Sequence, residues 1–204
     1  MTADPTTRTL LSFDLLDDTE HDQLAEWGNR AVLTERGPDP VSIPVLFAAQ
    51  VARAPQTVAL VCGERSWTYR ELDEASNRLA HELAAHGAAP GESVALLVPR
   101  SGEAIMAILA VLKTGAAYLP IDPAHPDERI GFMISDAAPL AAITTGELRA
   151  RLDAHDVDVI EFDDPAVDRQ PSTALPTPAP DELAYMTYTP GTTGVPKAAA
   201  VTHQ

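Results

Sequence analysis

The chain has 204 residues, 45% of them hydrophobic, with 14 Lys and Arg against 30 Asp and Glu and a formal net charge of -16. That length and apolar share suit one globular core or a small pair of domains and exclude a disordered chain. The acidic balance argues against nucleic acid or anionic lipid surfaces as partners, but it leaves nucleotides open, because backbone N–H groups bind phosphate whatever the total charge.

The first residues, Met1 to Arg8, contain no basic segment followed by an apolar core, so no signal peptide is evident. Residues 1–40 read as a leader. Within it, Glu20 to Trp27 has the apolar pair Leu24 and Trp27 three residues apart, and Gly28 provides a helix stop. Gly37-Pro-Asp-Pro40 then interrupts regular structure, and residues 41–204 read as the main domain. Val45 to Arg53 is expected to be a helix ending before Pro55. Val58 to Cys62 and Ser66 to Tyr69 read as two strands around a Gly63-Glu64 turn. Cys62 is the single cysteine, which excludes an internal disulfide, and its apolar run makes it a small packing residue. A cytoplasmic setting fits this usage.

Thr68-Tyr-Arg-Glu71 has the spacing of a capping box. It opens a helix with Leu72, Ala75, Leu79 and Leu83 on one face, closed by Gly87. Ser93 to Val98 is a continuous apolar strand, and Ser101 caps a helix running to Leu112, with Gly115 just beyond. The longest apolar run, Ala104 to Leu112, falls far short of the ~20 residues that span a bilayer, so no membrane insertion is expected. Further strands are read at Ala116 to Ile121, Ala141 to Thr144 and Val157 to Phe162, and helices at Pro126 to Ala137 and Glu147 to His155. Apolar strands alternating with amphipathic helices predict an α/β fold, a mostly parallel sheet with helices on both faces. Residues 163–181 contain Pro165, Pro171, Pro176, Pro178 and Pro180 and read as an extended surface connection.

Chemistry concentrates in Tyr188-Thr-Pro-Gly-Thr-Thr-Gly-Val-Pro-Lys197, which separates a strand at Leu183 to Tyr188 from another at Ala198 to Thr202. Gly191 and Gly194 allow close backbone approach, and successive N–H groups in such a turn form an anion-binding nest. Thr189, Thr192 and Thr193 add hydroxyls, and Lys197 adds a positive charge. A polyphosphate needs this combination. The spacing is not that of a Walker loop, which places four residues between its glycines and a lysine directly after the second. On residue types alone, a hairpin loop rich in turn formers remains an equal reading. The six histidines show no metal-ligand spacing with Cys62, and His203 has no catalytic partner in view, so a surface or supporting role is expected for it.

The order of residues in this stretch resembles the phosphate loop of the adenylate-forming enzyme superfamily, usually Tyr-Thr-Ser-Gly-Thr-Thr-Gly-x-Pro-Lys-Gly. Trp67-Thr-Tyr-Arg-Glu-Leu72 resembles an earlier motif of that superfamily, and Leu112-Lys-Thr-Gly-Ala-Ala-Tyr-Leu-Pro-Ile-Asp122 a second. The continuation through Pro123, Pro126, Arg129-Ile130 and Asp136-Ala137 is closer to the adenylation domains of nonribosomal peptide synthetases than to acyl-CoA ligases. The leader around Phe13 to Trp27 resembles the linker between a condensation and an adenylation domain.

The resemblance implies the N-terminal portion of the large adenylate-forming domain. It implies joining of an amino acid to ATP, with Mg2+, to give aminoacyl-AMP and pyrophosphate, and transfer to phosphopantetheine on a carrier domain. Thr189, Gly191, Thr192, Thr193, Gly194 and Lys197 match the positions that hold the ATP phosphates. Tyr69, Glu71, Tyr118 and Asp122 match positions expected to pack or cap. Catalytic residues and the amino-acid pocket are expected beyond Gln204, and this chain alone is expected to lack adenylation activity. Pro190 stands where serine is usual and removes a hydroxyl and an N–H, each worth ~1.5–3 kcal/mol to a charged ligand. Ala198 replaces the usual glycine, which costs ~1–2 kcal/mol if the position needs a positive φ. The other readings are an acyl-CoA or fatty-acyl-AMP ligase and a non-catalytic, partner-binding remnant.

Overall fold

The computed structural model describes residues 16–34, 37, 39–189 and 196–204. The chain divides into two compact units, parting between Asp39 and Pro40. In the first, α1 (Asp18–Trp27) is opened by a capping box. Asp17 Oδ1 accepts from Glu20 N at 2.9 Å, and Glu20 Oε2 accepts from Asp17 N at 3.0 Å. This pair starts the helix two residues before the predicted start. Gly28 ends it, and α2 (Arg30–Thr34), not foreseen from sequence, follows Asn29, whose φ is +51°.

The second unit begins with α3 (Ile43–Arg53), then the antiparallel hairpin of β1 (Val58–Cys62) and β2 (Arg65–Thr68) around Gly63. The Thr68–Glu71 capping box is formed as its spacing predicts and opens α4 (Tyr69–Ala85). Hydrogen bonds from Thr68 hold the Glu71 carboxyl below its usual pKa. The hairpin packs Trp67 against Leu72 of α4 and Met106 and Leu109 of the later helix α5 (Gly102–Thr114). Gly102 makes this possible, because a Cβ there would lie 2.5 Å from the Trp67 ring.

The main sheet contains β3 (Ser93–Leu97), β4 (Ala117–Pro120), β5 (Ala141–Thr144), β6 (Asp158–Glu161), β7 (Leu183–Thr189) and β8 (Lys197–Thr202). Its order is β6-β5-β3-β4-β7-β8, parallel throughout except for the antiparallel β7–β8 pair. Alternate residues of β3 serve opposite faces, as the period-two pleat requires. Val94 and Leu96 pack with α4 and α5, whereas Ala95 and Leu97 pack with α6 (Asp127–Ala137) and Leu152. The predicted α/β class, with helices on both faces, is therefore the observed one.

Two segments differ from expectation. Glu147 to His155 is not a helix; only the short 3-10 stretch Arg149–Arg151 forms. Its apolar pattern is one leucine pair, too little to define a helical face, and Leu152 is buried by a turn instead. The Arg151 guanidinium reaches away to the carbonyls of Pro123 and His125 and to Asp127, which holds the segment in that turn. Residues 163–181 contain α7 (Pro165–Asp168) and are strapped to α4. Asn77 Nδ2 donates to Ser172 O at 2.9 Å, Gln170 Nε2 to Glu82 Oε2 at 2.6 Å, and His81 Nε2 lies 3.0 Å from Thr173 O.

Where α4, α5 and this strap meet, Lys113 is buried, 8% exposed. Its ammonium donates to Asp73 Oδ1, Ser76 Oγ and Asn77 Oδ1, each at 2.7 Å, and to Asp73 O at 3.1 Å. The Phe47 ring of α3 lies 5.4 Å from the same nitrogen. Burial lowers the lysine pKa, while the Asp73 hydrogen bond and charge oppose that shift. At the N-terminus of α3, Ser42 gives no side-chain cap. Ile43 N instead donates to His203 Nδ1, 160 residues away, at 3.3 Å. The neutral ring thus accepts at Nδ1, which places its proton on Nε2.

These buried groups set the expected stability. Lys113→Ala should lower the unfolding free energy by roughly 3 kcal/mol, because it strands a paired carboxylate together with its amide and hydroxyl partners. Breaking the exposed Arg149–Glu161 pair should cost less than ~1 kcal/mol. Urea titrations at pH 7 compare the two. For His203, burial depresses the pKa below its ordinary 6.5. The unfolded chain therefore takes up the proton first, so this contribution is full above pH 6.5 and is lost as pH falls below it. His203→Gln should show a smaller loss of melting temperature than the parent protein on acidification from neutral pH; an identical pH slope would exclude the histidine as the cause.

Candidate functional site

The residues singled out from sequence lie on the β7–β8 hairpin. Thr189 ends β7 and Lys197 begins β8, and the two are register partners. Thr189 Oγ1 donates to Lys197 O at 3.5 Å, and both residues are exposed. Lys197 has no ion pair among the described residues. Gly191, Thr192, Thr193 and Gly194, with Pro190, lie outside the described residues. The structure therefore brings together the two ends of the predicted phosphate loop. Ala198 pairs with Tyr188 inside β8 and is not among the residues with positive φ, so this position does not need glycine's conformational freedom.

The base of the hairpin is anchored from two sides. Tyr188 Oη donates to Asp136 Oδ2 of α6 at 2.6 Å, and the Phe132 ring meets the Tyr188 ring edge-on at 6.0 Å. Burial, then the bond to Asp136, drives the Tyr188 pKa far above its usual value. On the other side, Tyr185 of β7 stacks on Tyr118 of β4 at 5.4 Å. The direction of β7 as it enters the loop is thus fixed by α6 and β4. Apart from the family-like placement of Tyr118 and Asp136, nothing in the sequence signals these contacts.

A cavity of about 500 Å³ opens beside this base, at the C-terminal edge of β3 and β4. Its position follows from topology. β3 feeds α5, which crosses one face of the sheet. Adjacent β4 feeds α6, which crosses the other and carries the chain past β3 to β5. The two connections part at the strand ends and leave a crevice where α/β proteins bind ligands. Val98, Ala104, Ile108 and Met133 give it apolar walls, and Arg100, Asp122, His125 and Arg129 give it polar ones. Thr187 and Tyr188 line the side from which the loop departs. The alternation of strands and helices is the sequence signal for this crevice, but no local motif marks Arg100 or His125 as part of it.

The other predicted positions pack or cap. Tyr69 lies 6.0 Å from the Phe47 ring, Glu71 closes its capping box, Tyr118 stacks on Tyr185, and Asp122 Oδ1 accepts from Ala124 N at 2.8 Å. Among the described residues no group of three or more His, Cys, Asp or Glu is placed to hold a metal ion. None of the described helices is long and apolar enough to cross a membrane.

The family model described as AMP-binding enzyme matches residues 47–204. The chain belongs to the AMP-binding enzyme family. It is 59% identical over 197 residues to the isonitrile lipopeptide synthase of Mycobacterium tuberculosis, covering 97% of this chain and 8% of that protein. It is 38% identical over 197 residues to the dimodular nonribosomal peptide synthase of Bacillus subtilis, covering 93% of this chain and 8% of that one. Among solved structures, the AMPPNP-bound nonribosomal peptide synthetase FmoA3 superposes with a TM-score of 0.82 at 28% identity, over 94% of this chain and 20% of that one. The N-terminal subdomain of Klebsiella oxytoca NpsA gives 0.72 at 27% identity, over 81% and 43%. The fold is thus that of the N-terminal subdomain of adenylation domains, and the chain spans a small part of the synthetases it matches.

The Tyr188 anchor has a spectroscopic consequence. Asp136→Ala should bring forward the ionisation of one tyrosine in an alkaline absorbance titration, because the carboxylate that opposes phenolate formation is gone. No change in the titration would show that Tyr188 is not held by Asp136.

Proposed function

We propose that this chain is the phosphate-binding portion of an amino-acid-activating unit in nonribosomal peptide synthesis, which joins an amino acid to ATP and releases pyrophosphate. The observation that carries the reading is the pairing of Thr189 with Lys197 at the C-terminal end of β7, across the neck of a loop with the family's glycine and threonine order. In this reading Thr189, Gly191, Thr192, Thr193, Gly194 and Lys197 hold the ATP phosphates. N–H groups and hydroxyls orient the triphosphate, and the Lys197 ammonium compensates its charge. Lys197 suits the role because it is exposed and has no described ionic partner. Asp136 and Tyr188 act at one remove by fixing the direction of the strand that delivers the loop.

Mg2+ would arrive largely with the phosphates and its own waters, in keeping with its reluctance to dehydrate. The amino acid and its activated carboxyl are handled by groups the resemblance places after the loop. The chain alone is therefore proposed to bind nucleotide without catalysing adenylation. Residues 1–40 are proposed as a linker to a condensation domain, with a phosphopantetheine-bearing carrier as acceptor and the cytoplasm as location.

Calorimetric titration of the 204-residue chain with MgATP tests the reading. Lys197→Ala should weaken binding by about one to two powers of ten, the equivalent of one charge-assisted hydrogen bond. Pro190→Ser should strengthen it by restoring an N–H and a hydroxyl. Ala198→Gly should leave it unchanged and lower stability by ~0.5–1 kcal/mol, as glycine does inside a strand. Affinity that is indifferent to Lys197 would refute the phosphate-loop assignment, and amino-acid-dependent ATP–pyrophosphate exchange by this chain alone would refute its proposed inactivity.

A further inference from the structure

The crevice between α5 and α6 has a charge pattern that neither packing nor the phosphate loop explains. The chain carries more than twice as many acidic as basic residues, 30 against 14. Even so, two arginines, Arg100 and Arg129, line this one cavity, and so does His125. Among the described residues neither arginine makes an ion pair or a side-chain hydrogen bond. The Nε of Arg129 is buried and has no partner among them. A buried guanidinium N–H left unpaired is costly, so its persistence calls for an explanation.

Part of the cavity wall is held in place by hydrogen bonds. Asp122 is the only carboxylate among the described lining residues, and one of its oxygens is already engaged by the Ala124 N–H. Arg151 donates to the carbonyls of Pro123 and His125, the latter at 2.7 Å, so residues 122–125 form a braced rim. By contrast Arg151, Arg149 and Arg65 are all paired with carboxylates. Arg100 and Arg129 line the cavity without such a partner, and Arg129 is the one described arginine with a buried side-chain nitrogen left unpaired.

We propose that this cavity is an anion site, separate from the phosphate loop, for a small organic molecule with a carboxylate or phosphate on an apolar body. The Arg129 Nε–H and the rest of its fork would take the anionic group in two parallel hydrogen bonds, and Arg100 would add charge. Val98, Ala104, Ile108 and Met133 would cover the apolar body. A volume of about 500 Å³ is within the range of small-molecule sites. Neither Thr189 nor Lys197 is among the described lining residues, so mutation of Lys197 distinguishes the two sites.

The test is a titration of the 15N-labelled 204-residue chain, following the arginine Nε–H signals, with phenylacetate, phenyl phosphate and inorganic phosphate as probes. The expected result is a saturable shift of the Arg129 Nε–H with at least one aromatic probe. Whichever binds tighter tells carboxylate from phosphate as the preferred head group. Inorganic phosphate, lacking an apolar body, should bind at least about tenfold more weakly. Arg129→Gln should weaken binding by about tenfold or more, Arg129→Lys should retain part of it, Arg100→Gln should weaken it less, and Lys197→Gln should leave it unchanged. Should Arg129→Gln fail to fold, the wild-type Arg129 signal together with Arg100→Gln decides the matter. The proposal is overturned by an Arg129 signal that does not move, by inorganic phosphate binding as tightly as the aromatic probes, or by loss of binding in Lys197→Gln with none in Arg129→Gln. It does not depend on ATP binding: failure of the MgATP titration would leave it standing.

Discussion

One buried ammonium holds the α4–α5 layer together. Lys113 sits near the end of α5 and turns its donors toward α4, where Asp73, Ser76 and Asn77 share one helical face. Asn77 then passes the restraint on to the strap through Ser172. An ion in such a place contributes little net stability against an apolar substitute, but it tolerates few alternative arrangements, because any slip of α5 along α4 would leave a charge without partners. The register of these two helices, and so the position of α5 over β3 and β4, is defined by that geometry.

What α5 defines on one face, α6 defines on the other, and the crevice between them is a consequence of both. The β7–β8 hairpin arrives at the same edge because β7 runs parallel to β4, with Tyr185 stacked on Tyr118. Tyr188 is then tied to Asp136, so the loop emerges beside the crevice. A fold built from local strand–helix units thereby gathers Arg100, His125, Asp136 and Tyr188 at one end of the sheet. Fixed donors in a preformed setting bind a charged ligand without the cost of arranging them at each encounter.

Much of the fold is legible in the sequence because its signals are local. The Thr68–Glu71 capping box, Gly115 at the end of α5 with φ +84°, and the apolar strand at β3 each act within a few residues of themselves. The capping pair Asp17–Glu20 is equally local, yet the apolar spacing of Leu24 and Trp27 reports only the later turns, so α1 begins earlier than that spacing predicts. The helix expected at Glu147 to His155 fails for the opposite reason. Arg151 is drawn to carbonyls more than twenty residues away, and no periodicity within the segment reports that pull. The strap differs from a free connection because prolines mark the absence of regular structure and say nothing of what the backbone carbonyls will meet.

For the candidate site the division is similar. The order of glycines, threonines and lysine in 188–197 carries the resemblance to a phosphate loop, while residue types alone leave a plain hairpin loop an equal reading. The sequence by itself also determined the fold class, through alternation of period-two and helical patterns that each element carries internally. Only the tertiary structure decided that Arg129 would be left unpaired while Arg151 found partners, that Asp136 would hold Tyr188, and that His203 would cap a helix 160 residues away. These pairings join residues that are distant in sequence, and which partner a side chain meets depends on how the layers pack, a property of the assembled sheet rather than of any one stretch of it.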